Sequence, residues 1–159
     1  MIIEERVERS QYVKLITWIV SFIILMAGIV FPVLILWVNQ DMMSKVIGAS
    51  VLCLIFFTLI FTVAYQPRKL ILSETHIIME RILGQVYISY SDITDISLYH
   101  RENVAEIRIF GIGGLGGYIG KFYNSKIGFY TAYVGDYSQA FLIKINNREK
   151  YVMSCRHAE

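Results

Sequence analysis

Two stretches without a charged residue organise the chain. Residues 15–38 read LITWIVSFIILMAGIVFPVLILWV, and residues 46–65 read VIGASVLCLIFFTLIFTVAY. A helix rises about 1.5 Å per residue and a bilayer core is about 30 Å thick, so roughly 20 apolar residues cross it. Each run has that length, and the polar link at 39–45 leaves room for little more than a turn. The pattern predicts a transmembrane hairpin. Trp18 and Trp37 stand near the two ends of the first run, about 28 Å apart along a helix, at the spacing of the two interfaces. Gly28 and Pro32 are expected to loosen or kink the first helix, because proline removes a ladder hydrogen bond. No Asp, Glu, Lys, Arg or His lies within either run, which leaves an ion or proton path without a titratable carrier.

After Gln66 and Pro67 the hydrophobic period changes from helical to two. Short runs at 69–72, 76–82, 85–90, 104–110, 126–134, 139–145 and 150–153 are rich in β-branched and aromatic residues, and Ile93, Ile96 and Leu98 lead into another. Gly84 separates two of them as a hairpin turn. In the run at 104–110, Ile107 and Ile109 occupy one face and Glu106 and Arg108 the other, as in a sheet with one buried side. About seven or eight antiparallel strands are expected, in a small barrel or sandwich. The division is a lead-in at 1–14, a hairpin at 15–65 and a β domain at 66–159.

Composition agrees with this division. The chain has 159 residues, 55% of them hydrophobic, and a mean hydropathy of +0.51, which suits a membrane protein. The net charge of +2 is small and its basic residues are dispersed, which argues against nucleic acid as a partner. Arg6, Arg9 and Lys14 precede the first helix, Lys45 alone lies in the link, and Arg68 and Lys69 follow the second. That asymmetry places both termini in the cytoplasm. Cys53 falls in a predicted span and Cys155 near the C-terminus, so no disulfide framework is expected.

The glycine-rich run at 111–120, GIGGLGGYIG, satisfies G-x-G-x-x-G through Gly111, Gly113 and Gly116, with Asp136 downstream. A dinucleotide site needs a helix directly after that turn, its N-terminus facing the pyrophosphate. Here the sequence continues GYIGKFYNSKIGFYTAY, which is aromatic, β-branched and broken by glycine, so a loop or kinked strand pair is expected instead. Lys121, Phe122, Tyr123, Lys126, Phe129, Tyr130 and Tyr133 then form a basic and aromatic cluster, readable as strand residues with a solvated rim or as a contact for anionic headgroups. His76, His100 and His157 are isolated, and Cys155 with His157 supplies two of the four ligands that a structural zinc needs. No nucleophile elbow or paired-carboxylate signature occurs. The chain is expected to be no enzyme, with no cofactor and no metal.

The run from Arg108 through the glycines to Lys121-Phe122-Tyr123, the segment Gly128-Phe-Tyr-Thr-Ala-Tyr, and the closing Lys150-Tyr-Val-Met-Ser154 resemble the bacterial pleckstrin-homology (PH) domain family, some members of which carry two membrane helices before the domain. The resemblance implies a seven-stranded barrel of two near-orthogonal sheets, closed at one end by a C-terminal helix for which this chain has too few residues after Met153. It implies a bacterial source, and hence the cytoplasmic membrane, and no enzyme activity. Headgroup-binding PH domains place Lys and Arg around the loop joining the first two strands. Here that loop, Ser73-Glu74-Thr75-His76, has none, so the resemblance does not extend to inositol-phosphate recognition. The expected role is a membrane-anchored module that binds a protein partner or its own copies. Arg108, Gly111, Gly113, Lys121, Tyr123 and Lys126 form its candidate interaction surface, with anionic lipid headgroups as the alternative ligand.

Overall fold

The computed structural model describes residues 3–38, 41–101, 105–146 and 149–156. The first apolar run forms a continuous rod from α1 (Gln11–Leu25) through a π-helical segment (Met26–Val30) into α2 (Phe31–Val38). Ser10 caps its start, the hydroxyl accepting from the Val13 N–H at 3.2 Å. Pro32 has no N–H for the ladder, and the widened turn lies just before it, with Gly28 against the Ile55 side chain. The loosening expected at Gly28 and Pro32 thus takes the form of a π segment.

The second run forms α3 (Met42–Ala64), which Asp41 caps through the Ser44 N–H at 3.4 Å and which returns beside α2. Both rods are long and apolar enough to cross a membrane, and 6% of each apolar window is buried within the chain. The β domain therefore does not wrap them.

That domain has two sheets. β1 (Ile3–Arg6), β2 (Pro67–Leu72), β3 (His76–Arg81) and β4 (Gln85–Ser89) form an antiparallel sheet in the order β1-β2-β3-β4. The other strands are β5 (Ile93–Leu98), β6 (Glu106–Gly113), β7 (Tyr118–Asn124), β8 (Gly128–Val134), β9 (Ala140–Ile145) and β10 (Lys150–Ser154), in the order β5-β9-β10-β8-β7-β6. β1 comes from the lead-in, and pairs Glu4 with Ile71 and Arg6 with Lys69.

The expected barrel is not closed. β4 and β5 are consecutive, but the turn at Tyr90–Asp92 carries the chain from one sheet to the other, and no ladder joins them among the described residues. Nor are all neighbours antiparallel. β10 runs parallel to β8, with Tyr151 opposite Thr131 and Met153 opposite Tyr133. Strands lie about 4.8 Å apart, so the five-residue link at 135–139 readily steps over one position and lets β10 fold back into the gap.

The two sheets pack face to face through Leu70, Ile77, Met79 and Ile88 from one and Phe141, Ile143 and Met153 from the other. The opposite face of the larger sheet holds Phe122, Tyr130, Ala132, Leu142 and Val152 under Tyr99. Tyr99 lies over this face just after β5, and β5 and β6 are the sheet's two edges. With both sides covered, the first four residues of β9 are all buried, which is why AFLI shows no alternation.

The same face also buries a charge. The Glu106 side chain is 3% exposed, pairs with Arg101 at 3.0 Å and accepts from the Tyr99 hydroxyl at 3.3 Å. The Arg101 guanidinium lies over the rings of Tyr118 and Tyr137, at 4.9 and 4.6 Å. Burial pushes the phenols of Tyr99, Tyr130 and Tyr137 above the ordinary tyrosine range, and burial with the Glu149 hydrogen bond pushes Tyr151 up to about 12. A phenol raised in the folded state contributes stability that is fully present below about pH 10 and is lost as pH rises through its folded value. Melting temperatures measured from about pH 9 to 12 are expected to fall less steeply for Tyr130→Phe than for the parent chain. Equal slopes would contradict this assignment.

Candidate functional site

The glycine-rich run turns a hairpin between β6 and β7, not a strand-to-helix junction. Gly111 and Gly120 face each other across it with φ of +119° and +122°, a region that side chains disfavour. A Cβ on Gly111 would run into the Ile119 carbonyl oxygen, and one on Gly120 into the Phe110 carbonyl oxygen. The bare backbones thus let the two strands close tightly.

The tip, residues 114–117, reaches the helical rods. The Gly114 N–H donates to the Gly117 carbonyl at 2.9 Å, and the Gly116 N–H donates to Thr17 Oγ1 at 2.8 Å. That hydroxyl in turn donates to the Val13 carbonyl at 2.6 Å, within α1. Leu115 borders an apolar cavity of about 270 Å³ together with Ile24 of one rod and Ile55, Leu59 and Thr62 of the other. Buried Gln66 fills the space beside Gly116 and accepts from Arg9 Nη2 at 2.6 Å. A second joint lies at Gly135, whose carbonyl accepts from the Ser10 N–H at 3.2 Å and whose N–H donates to Ser154 Oγ at 2.9 Å.

Beyond the hairpin tip the larger sheet outgrows its partner. The four-stranded sheet covers β9, β10 and the end of β8, and beyond buried Ile119 the same face continues exposed over the rest of β7 and over β6. Ile107, Ile109, Phe110 and Phe129 stand exposed there by 57, 55, 71 and 67%. The expected polarity of β6 is therefore inverted, since Glu106 is the buried side chain and the isoleucines face outward.

Against this architecture, the bacterial PH domain profile matches residues 68–159, more than half of the chain. The chain belongs to the bacterial PH domain family. No curated protein and no solved structure matches it. A bacterial PH domain suggests a non-catalytic interaction module, and the two apolar rods before it fit a membrane-anchored form. The match begins within β2, so β1 and both rods lie outside the matched segment.

The PH domain does not gather the sequence-predicted residues into one patch. Lys121 and Tyr123 share a face of β7, where the Tyr123 ring meets Phe129 edge-on at 5.1 Å. Arg108 pairs in register with Phe122 and so belongs to the opposite face, with its guanidinium beside Gly113. Gly111 and Gly113 supply hairpin backbone. Lys126 sits in the β7–β8 turn, its N–H on Asn124 Oδ1 at 2.8 Å, at the end of β7 remote from the rods.

Sequence reasoning missed the grouping of Ile107, Ile109, Phe110 and Phe129 with Lys121 and Tyr123. The only signal was the length of β6, which carries more apolar residues than one small sheet can cover. Among the described residues, no three His, Cys, Asp or Glu side chains gather as metal ligands. Cys155 is buried, and His157 lies outside the described residues.

Proposed function

We propose that this chain is a non-catalytic, membrane-anchored interaction module. Its rods cross the bacterial cytoplasmic membrane with both chain ends on the cytoplasmic side, and its PH domain offers the β6–β7 flank to a protein partner, a second copy of the chain included. The observation that carries this reading is the exposed apolar group Ile107, Ile109 and Phe110 on the edge strand β6, with Phe129 of β8 nearby, beside a hairpin fastened to the rods. Exposed apolar faces of this kind mark interaction sites, and an unpaired edge invites another strand.

Several features support the membrane setting. Leu115 borders the same cavity as Ile24, which lies about 9 Å of helix beyond Trp18. Irregular backbone is tolerated at membrane depth only where its polar groups are bonded within the protein, and Thr17 with the Gly114–Gly117 bond does that here. The excess of Lys and Arg at the domain end of the rods supports the cytoplasmic orientation.

A lipid reading of Lys121, Tyr123 and Lys126 fits less well. Lys126 stands at the far end of β7, roughly 20 Å of strand from the hairpin tip that packs on the rods, and so lies away from the proposed membrane.

A photocrosslinker at Phe110 in the membranes of intact cells tests the proposal. One discrete protein adduct is expected, lost when Ile109→Glu is added and not formed from the same group at exposed Tyr87 on the other sheet. Monomer alone, or adducts to lipid alone, would overturn it.

A further inference from the structure

A second concave feature lies where the chain's start, β2 and the base of α1 meet. It is a cavity of about 730 Å³, and Arg6, Arg9, Lys14, Arg68 and Lys69 all line it. The fold brings these cations from three segments. β1 sets Arg6 opposite Lys69, the Val7 N–H donates to the Arg68 carbonyl at 3.0 Å, and the Ser10 cap starts α1 with Lys14 in its first turn.

Two carboxylates, Glu8 and Glu80, share the lining. Glu8 pairs with Arg156 at 3.3 Å, while Lys69 pairs with Glu4 at 3.0 Å. Among the described residues, Arg6, Lys14 and Arg68 form no ion pair. A cleft lined largely by one sign of charge concentrates counter-ions. The sequence counted these same residues only as orientation signals, because β1 and the packing at Gly135 that enclose them have no sequence signature.

The position of the cavity selects its anion. Lys14 directly precedes the charge-free run, and α1 leads from the cavity to the exposed side chains of Leu15 and Trp18. An occupant with a charged head and an apolar tail would meet cations at one end and the rod at the other. We propose that this cavity holds the phosphodiester headgroup of an anionic membrane phospholipid, whose acyl chains lie along α1. Guanidinium groups match phosphate oxygens with paired donors, and Lys14 adds a point charge. The site lies at the opposite end of β2 from the loop at 73–76, which has no Lys or Arg. The inference rests on the reading of the rods as membrane-spanning. Orientation in the membrane requires basic residues only on one side of it, whereas a headgroup site requires them around one cavity.

The test uses the full chain in neutral detergent, titrated with short-chain phosphatidylglycerol, phosphatidylcholine of the same chains, and inorganic phosphate. Phosphatidylglycerol is expected to bind saturably and at least about tenfold more tightly than either of the others. The Arg6→Gln, Lys14→Gln, Arg68→Gln triple variant should lose roughly a hundredfold. Lys121→Gln with Lys126→Gln should match the parent, and Arg6→Lys with Arg68→Lys should retain most of the affinity. If the triple variant melts early, Lys14→Gln alone and the salt dependence of the parent chain carry the comparison. Undiminished binding in the cavity variants, or equal affinity for phosphatidylcholine, would overturn the proposal, and inorganic phosphate binding as tightly would overturn the choice of a lipid. A chain that remained soluble without detergent would instead contradict the membrane reading.

Discussion

Replacing Gly120 by alanine is expected to lower stability by about 2–5 kcal/mol, among the larger effects open to a single methyl group in this chain. Part of the cost, about 1–2 kcal/mol, comes from placing an L side chain at φ +122°. The rest comes from collision with the Phe110 carbonyl oxygen, a backbone atom that moves only if β6 moves. Gly128→Ala is the control. It shares a positive φ of +78°, but its Cβ would meet nothing closer than the Lys150 Nζ at 3.9 Å, so only the backbone cost should appear. Denaturant unfolding of the full chain in detergent measures both. Equal losses at 120 and 128 would mean that close approach of the two strands is not what demands glycine in the hairpin.

Leu115→Asp is expected to detach the hairpin tip from the rods while leaving the sheets intact. A carboxylate at this position would enter an apolar cavity bordered by Ile24, Ile55 and Leu59, where a charge costs about 2.5–3.5 kcal/mol by comparison with membrane helices. Hydrogen exchange separates the outcomes. Protection should fall at Gly116 and around Thr17, and persist at Ile143 and Met153 in the core between the sheets. Thr17→Val should act in the same direction but more weakly, since it leaves one amide unpaired at a cost of about 1–3 kcal/mol. Unchanged protection at the tip in Leu115→Asp would mean that the contact with the rods is incidental.

Much of this architecture is legible in the sequence, because two local signals are strong. Twenty or more uncharged residues have few structural outcomes, and short runs rich in β-branched and aromatic residues, bounded by glycine or polar turns, locate β3, β4, β8, β9 and β10 to within about two residues. The glycine run and its aromatic sequel carry the family resemblance that the profile bears out.

What escaped is non-local. β1 has four residues, two of them glutamates, and becomes a strand only because β2 offers it an edge. The parallel pairing of β8 with β10 depends on which gap the last hairpin fills, a choice that alternation within a strand cannot express. The inverted polarity of β6 arises because Arg101 and Tyr99 meet Glu106 on one face, while the smaller sheet stops short of Ile107 and Ile109 on the other. The glycine run reads as a loop or kinked strand pair and forms the β6–β7 hairpin, but what its tip touches is not legible locally. Its spacing imitates a phosphate loop, yet its ligand is the Thr17 hydroxyl, about a hundred residues earlier in the chain.

In the proposed arrangement the PH domain is fastened to a pair of membrane-spanning rods by a hairpin tip that packs against both at bilayer depth. Tryptophan placed at position 115, with Trp18 and Trp37 changed to phenylalanine, tests it directly in proteoliposomes. Quenching by lipids brominated along their acyl chains, with little quenching by aqueous iodide, is the expected result. Iodide quenching as strong as that of a free indole, with none from the brominated lipids, would contradict it.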